Sequence, residues 1–152
     1  MIGGEPGVQR IEQALYPKAH VLNRCIAKLI DVLIVAGADE IGTPVGFLSG
    51  LVYILIADGF AGGRSLGKRL VGLQTMRLDA REPAGFRESI IRNLSFGVAQ
   101  LLWAVPYVGW LGTIAILVFE GLLVVGNEQG RRLGDEIART QVLDAGAVAV
   151  PD

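Results

Sequence analysis

The placement of the basic residues constrains this chain more than any motif does. All 14 Lys and Arg fall at positions 10, 18, 24, 28, 64, 68, 69, 77, 81, 87, 92, 131, 132 and 139. None lies between Leu29 and Gly63, and none between Asn93 and Gly130. Two long apolar blocks without a cation therefore alternate with three basic segments. A soluble chain has no reason to segregate its cations in this way. A membrane chain does, because Lys and Arg collect on the cytoplasmic side of its spans. Only 19% of the 152 residues are charged and mean hydropathy is +0.48. Soluble domains usually carry about 25% charged residues, so composition points the same way.

The first block divides at the polar break ADEIGTP (38–44). The pattern predicts one helix from about His20 to Ala38 and a second from about Val45 to Ala61. Each is at the short end of what crosses a hydrocarbon core of about 30 Å. The second block, residues 93–126, would be about 50 Å long as one helix, too long for one ordinary crossing. Pro106 and Gly109 interrupt it, and Trp103, Tyr107 and Trp110 cluster at the interruption as interfacial aromatics do. A helical hairpin turning at PYVG is expected. Four spans put all three basic segments on the cytoplasmic face, whereas three would leave Arg131, Arg132 and Arg139 outside.

The expected fold is thus an all-α membrane protein, a four-span transmembrane helical bundle with both termini cytoplasmic. A basic cytoplasmic loop, residues 62–92, joins spans two and three. Its first part, through Val71, Leu73 and Thr75, reads as a short strand-like or amphipathic piece on the membrane surface. DAREP makes a turn, and a basic helix leads from Phe86 into span three. Residues 1–19 form a cytoplasmic segment in which Val8, Ile11 and Leu15 share one face of an amphipathic surface helix. Residues 20–142 form the transmembrane domain, and 143–152 a flexible C-terminal tail. The N-terminus lacks the basic start and apolar core of a signal peptide, so internal spans would direct insertion.

Several chemistries are disfavoured. The single cysteine, Cys25, permits no intrachain disulfide, and with the single histidine, His20, it cannot supply a four-ligand zinc site. No Ser stands in a G-x-S-x-G elbow, so an enzyme is not expected, and no cofactor, metal or nucleic acid is called for. Gly62 to Lys68 matches G-x-x-x-x-G-K, but Arg69 occupies the place where a phosphate-binding loop needs Ser or Thr. A basic turn, with Arg64, Lys68 and Arg69 on anionic lipid head groups, is the better reading.

The acids inside apolar runs are the candidate sites. Arg24 and Asp31 are separated by about 700° of helix, within roughly 20° of one face, and Lys28 lies between them. An acid about 10 Å deeper than Arg24 is costly unless it pairs, faces water or takes a proton. The stripe should therefore face the bundle interior. Asp31 is then either a proton or cation site or a packing clasp, held by Lys28 or by a group on another helix. Asp58 lies near the cytoplasmic end of span two, and Glu120 is deeper, in AILVFEGLLVV. The three acids either converge on a polar cavity, as ion pathways require, or each cap a local contact. After span four, Asp135 has Arg131, Arg132 and Arg139 within four residues, and its position suggests a pair with Arg24 across helices. Gly42, Gly46 and Gly50 form a row that permits close helix contact, within the bundle or between protomers.

Taken in order, RCIAKLID, GGRSLGKRLVGL, an Arg leading into an apolar pair, and RRLGDEIART resemble the RDD family of small membrane proteins. Arg24, Ala27, Ile30 and Asp31 carry the first motif. Gly63, Ser65, Gly67, Lys68, Arg69, Gly72 and Leu73 carry the second, and Arg131, Arg132, Asp135, Ala138 and Thr140 the third. The resemblance covers about residues 16–143. The chain departs at Gly134 and Arg139, where members often have His or Gln and then Gly. The resemblance implies a multi-pass protein of a bacterial inner membrane, with sodium–proton transport suggested for some members and scaffolding for others. Two expectations follow. One is a small proton- or cation-coupled transporter or accessory permease using Asp31 and Glu120. The other is a membrane adaptor that assembles a larger complex. Either would act as a homo-oligomer or as a subunit, in a bilayer with anionic head groups.

Overall fold

The computed structural model describes residues 18–42 and 44–146. The amphipathic helix expected before Pro17 and the last residues of the expected tail lie outside them. Four long helices dominate: α1 (Val21–Asp39), α2 (Val45–Ile56, continued by a 3-10 turn, Ala57–Gly59), α4 (Phe86–Trp103) and α5 (Gly109–Gly126). Two short helices, α3 (Leu66–Val71) and α6 (Leu133–Ile137), each precede a strand, β1 (Leu73–Arg77) and β2 (Thr140–Asp144).

The long helices pack in series, α1 on α2, α2 on α4 and α4 on α5. His20 caps α1, its Nδ1 accepting from the Leu22 N–H at 3.3 Å. Gly46 lies against the Ala38 carbonyl, and a side chain at Gly50 would collide with Val35, so the α1–α2 hairpin closes tightly. Gly42 has a different role from the one expected. It sits in the connecting turn at a φ of 111°, and among the described residues a side chain there would meet no neighbour, so within the chain it serves the reversal rather than helix contact. The α4–α5 hairpin turns through residues 104–108, and Thr113 Oγ1 donates to the Ala99 carbonyl at 2.8 Å across it.

The chain is not wholly helical. β1 and β2 form a two-stranded antiparallel sheet, with Leu73 opposite Asp144, Thr75 opposite Val142 and Arg77 opposite Thr140. Leu143 and Asp144 belong to β2, so the tail begins later than expected. The reason is burial: Leu73, Val142 and Leu143 are fully buried, Val142 and Leu73 packing with Ala19 and Ala27 of the first segment. The turn from α6 into β2 places Arg139 at a φ of 51°, left-handed backbone in which Gly would be unstrained.

Burial is inverted relative to a water-soluble bundle. Leu33 on α1, Val52 on α2, Leu94 on α4 and Leu122 on α5 face outwards, while Asp31, Asp58, Arg92 and Glu120 face inwards. Among the described residues α5 is the one helix long and apolar enough to cross a membrane, and the apolar stretch Val45–Gly59 is shorter.

Candidate functional site

Asp31 lies midway along α1, and α3 docks on it. Gly67 sits against the Ala27 carbonyl, a distance that no side chain would allow, and this brings the start of α3 onto the carboxylate. Ser65 Oγ donates to Asp31 Oδ2 at 2.6 Å. The Gly67 N–H and the Tyr53 hydroxyl donate to Oδ1 at 2.9 and 2.8 Å. Asp31 thus accepts three hydrogen bonds, from α3, its N-cap and α2, and none from Lys28. That arrangement fixes the side chain as a clasp between α1, α2 and α3.

A chain of ion pairs runs from α3 through α4 to α6 and the start of α1. Lys68 Nζ is 2.6 Å from Asp58 Oδ1 and donates to Thr75 Oγ1 at 2.9 Å. Asp58 Oδ2 accepts from Asn93 at 3.2 Å and lies 3.7 Å from Arg92 Nε. Arg92, on α4, has its side chain wholly buried, and its Nη2 reaches Asp135 Oδ1 at 2.6 Å. Gly134 makes this geometry accessible, because α6 rests directly on the Arg92 backbone there. Asp135 Oδ2 accepts from Arg24 Nη2 at 2.8 Å and from the Arg132 N–H at 3.2 Å. Arg24 also donates to the Gly130 carbonyl. Burial alone would raise the Asp135 carboxyl, but Arg92, Arg132 and Arg24 outweigh it and hold it well below the usual carboxylate range. Burial and then repulsion from Arg92 lower the Lys68 ammonium, with Asp58 pulling the other way.

The structure therefore brings Arg24, Arg132 and Asp135 together, and joins them through Arg92 to Asp58 and Lys68. Lys68 is not at a lipid head group: its side chain turns inward, because Asp58 and Thr75 offer a buried ammonium its partners. Arg64 donates to Gln74 at 3.2 Å, and Arg69 is exposed. Arg131 makes no ion pair with Asp135 among the described residues. Sequence reasoning gave no site role to Arg92, Asn93, Tyr53 or Thr75, and took Ser65 only as a motif residue. Arg92 was findable, since it immediately precedes the second basic-free block, and a buried cation there needs an acid.

A cavity of about 680 Å3 opens beside this network, between α1 and α5. Asp31, Asp58 and Glu120 all line it, as do Lys28 and Phe96. Glu120 is 3% exposed, and neither carboxylate oxygen has a hydrogen-bond partner among the described residues. The Lys28 ammonium stands 3.9 Å above the Phe96 ring. No group of three or more His, Cys, Asp and Glu suited to a metal occurs among the described residues.

A mostly helical bundle that buries its charges and turns Leu and Val outward, with one helix of spanning length, has the form of a membrane protein. The RDD family model matches residues 37–139, and the chain belongs to that family, a family of membrane proteins. The match includes Asp58, Lys68, Arg92, Glu120 and Asp135, and begins after Arg24 and Asp31. No curated protein and no solved structure matches the chain.

Proposed function

We propose that this chain is a small ion-coupled transporter, crossing a bacterial inner membrane four times with both termini in the cytoplasm. Glu120 takes the proton or cation, and the Asp31, Asp58 and Asp135 sites hold the architecture. The observation that carries this reading is the contrast in partners. A buried carboxylate with no hydrogen bond, facing a cavity, can exchange protonation or a cation at little structural cost, whereas one holding three donors cannot. Of the two roles open to Asp31 on sequence, its three donors favour the clasp. Four short spans make a thin wall, so the working unit is an oligomer. No catalytic step is assigned to it.

The test is reconstitution into liposomes holding an internal pH dye, under sodium or potassium gradients. Wild type should give an ion-dependent pH change that Glu120→Gln abolishes and Asp31→Asn retains in its folded fraction. Membranes that stay tight with wild type refute transport. That outcome would favour the second reading, a membrane adaptor. One observation supports it independently: the ion pairs tie α3 and α6, the short helices that lead into β1 and β2, to the long helices.

A further inference from the structure

We propose that the groove between α1 and α5 binds a zwitterionic phospholipid head group, its phosphate on Lys28 and its primary amine on Glu120. This rests on the membrane placement above and not on transport itself.

Three observations converge. First, the cavity holds one cation and one anion without ionic partners among the described residues. Lys28 faces an aromatic ring, and Glu120 faces no donor, while Arg24, Asp31, Asp58, Lys68 and Arg92 are all paired or hydrogen-bonded. Second, the two lie at about the same depth. Arg24 of α1 reaches Gly130 just beyond α5, so the start of α1 adjoins the end of α5. Lys28 is then about 10 Å along α1 from Val21, and Glu120 about 9 Å back along α5 from Gly126. Third, the mouth is apolar. Leu29, Val32, Leu117, Val118, Leu122 and Val125 line the cavity and are also largely exposed.

An apolar mouth above two buried opposite charges selects an amphiphile with a dipolar head. An inorganic ion would leave the mouth uncovered. A fatty acid or an anionic lipid would set a second negative charge in the cavity with Glu120, and a lipophilic amine would leave Lys28 unpaired. A phosphoethanolamine head satisfies both charges while its tails lie along the Leu and Val rim. Arg24 and Arg132, which also line the cavity, add positive potential on the phosphate side. On the transport reading, this amine and the coupled cation compete for one carboxylate.

The experiment offers delipidated full-length protein in detergent an equal mixture of phosphatidylethanolamine, phosphatidylcholine and phosphatidylglycerol, and reads retained lipid by native mass spectrometry. Phosphatidylethanolamine should be retained over both others. Lys28→Gln and Glu120→Gln should each cut its retention about tenfold, the scale of one charge-assisted contact. A readout without substitution is Cys25, the single cysteine, exposed on the groove wall. Its maleimide labelling should slow with phosphatidylethanolamine and not with phosphatidylglycerol. Preference for either other lipid, equal retention of all three, or unchanged retention in both folded variants overturns the proposal. Failure of the membrane placement would show separately, as release of the protein from membranes by alkaline washing.

Discussion

Asp31 and Glu120 are both acids in apolar helices lining one cavity, yet their surroundings are opposite. Asp31 accepts from a tyrosine, a serine and a backbone N–H on other parts of the chain; Glu120 accepts from nothing among the described residues. The same chemical group is structural at one address and available at the other. Burial does not separate them, at 6% and 3% exposure. What separates them is α3, which lies against α1 and supplies donors, whereas the α5 side of the cavity has no such piece.

The comparison breaks most severely at Arg92. Arg92→Ala would leave Asp58 and Asp135 with one cation fewer inside the protein, at a cost of about 3–5 kcal/mol, read as a lowered thermal transition in detergent. Acid should act at the same place. The Asp135 carboxyl is depressed in the folded protein, so its contribution is present above the ordinary carboxylate pKa of about 3.9 and lost as pH falls below it. Unfolding followed against pH should show this decline in wild type and less of it in Asp135→Asn.

Smaller effects sharpen the contrast. Gly67→Ala should push α3 off Ala27 and cost about 1–3 kcal/mol, loosening the Asp31 clasp without touching its charge. Asp31→Asn keeps the shape but turns an amide N–H towards at least one of its three donors, costing about 1–2 kcal/mol. Glu120→Gln should shift the transition by no more than about 0.5 kcal/mol, because no hydrogen bond is lost. A loss at Glu120 as large as at Asp31 would erase the distinction.

Much of this was legible in the sequence, and the reasons differ by element. The long helices follow from the segregation of cations and the breaks at ADEIGTP and PYVG. The approach of Asp135 to Arg24 could be anticipated because both stand at the same end of the bundle. The inward turn of Lys68 could not: GGRSLGKR looks like a basic surface turn until Asp58 is known to lie beneath it. β2 was hidden because TQVLD is short and follows a charged segment, and only its pairing with β1 buries Val142 and Leu143. Partnerlessness at Glu120 is not a local property of AILVFEGLLVV, since it depends on what neighbouring helices fail to offer.

The pairing of Arg24 with Asp135 joins positions 111 residues apart. During synthesis Arg24 is therefore made long before the segment that completes its surroundings. Until residues 131–144 leave the ribosome, the early hairpin carries unneutralised charge, and β1 has no strand to pair with. The buried network closes only when residues 131–144 are present. A chain truncated before Asp135 would hold all four long helices and still leave Arg24, Arg92 and Arg132 without that carboxylate, so residues 131–144 lock together what the four helices bring near.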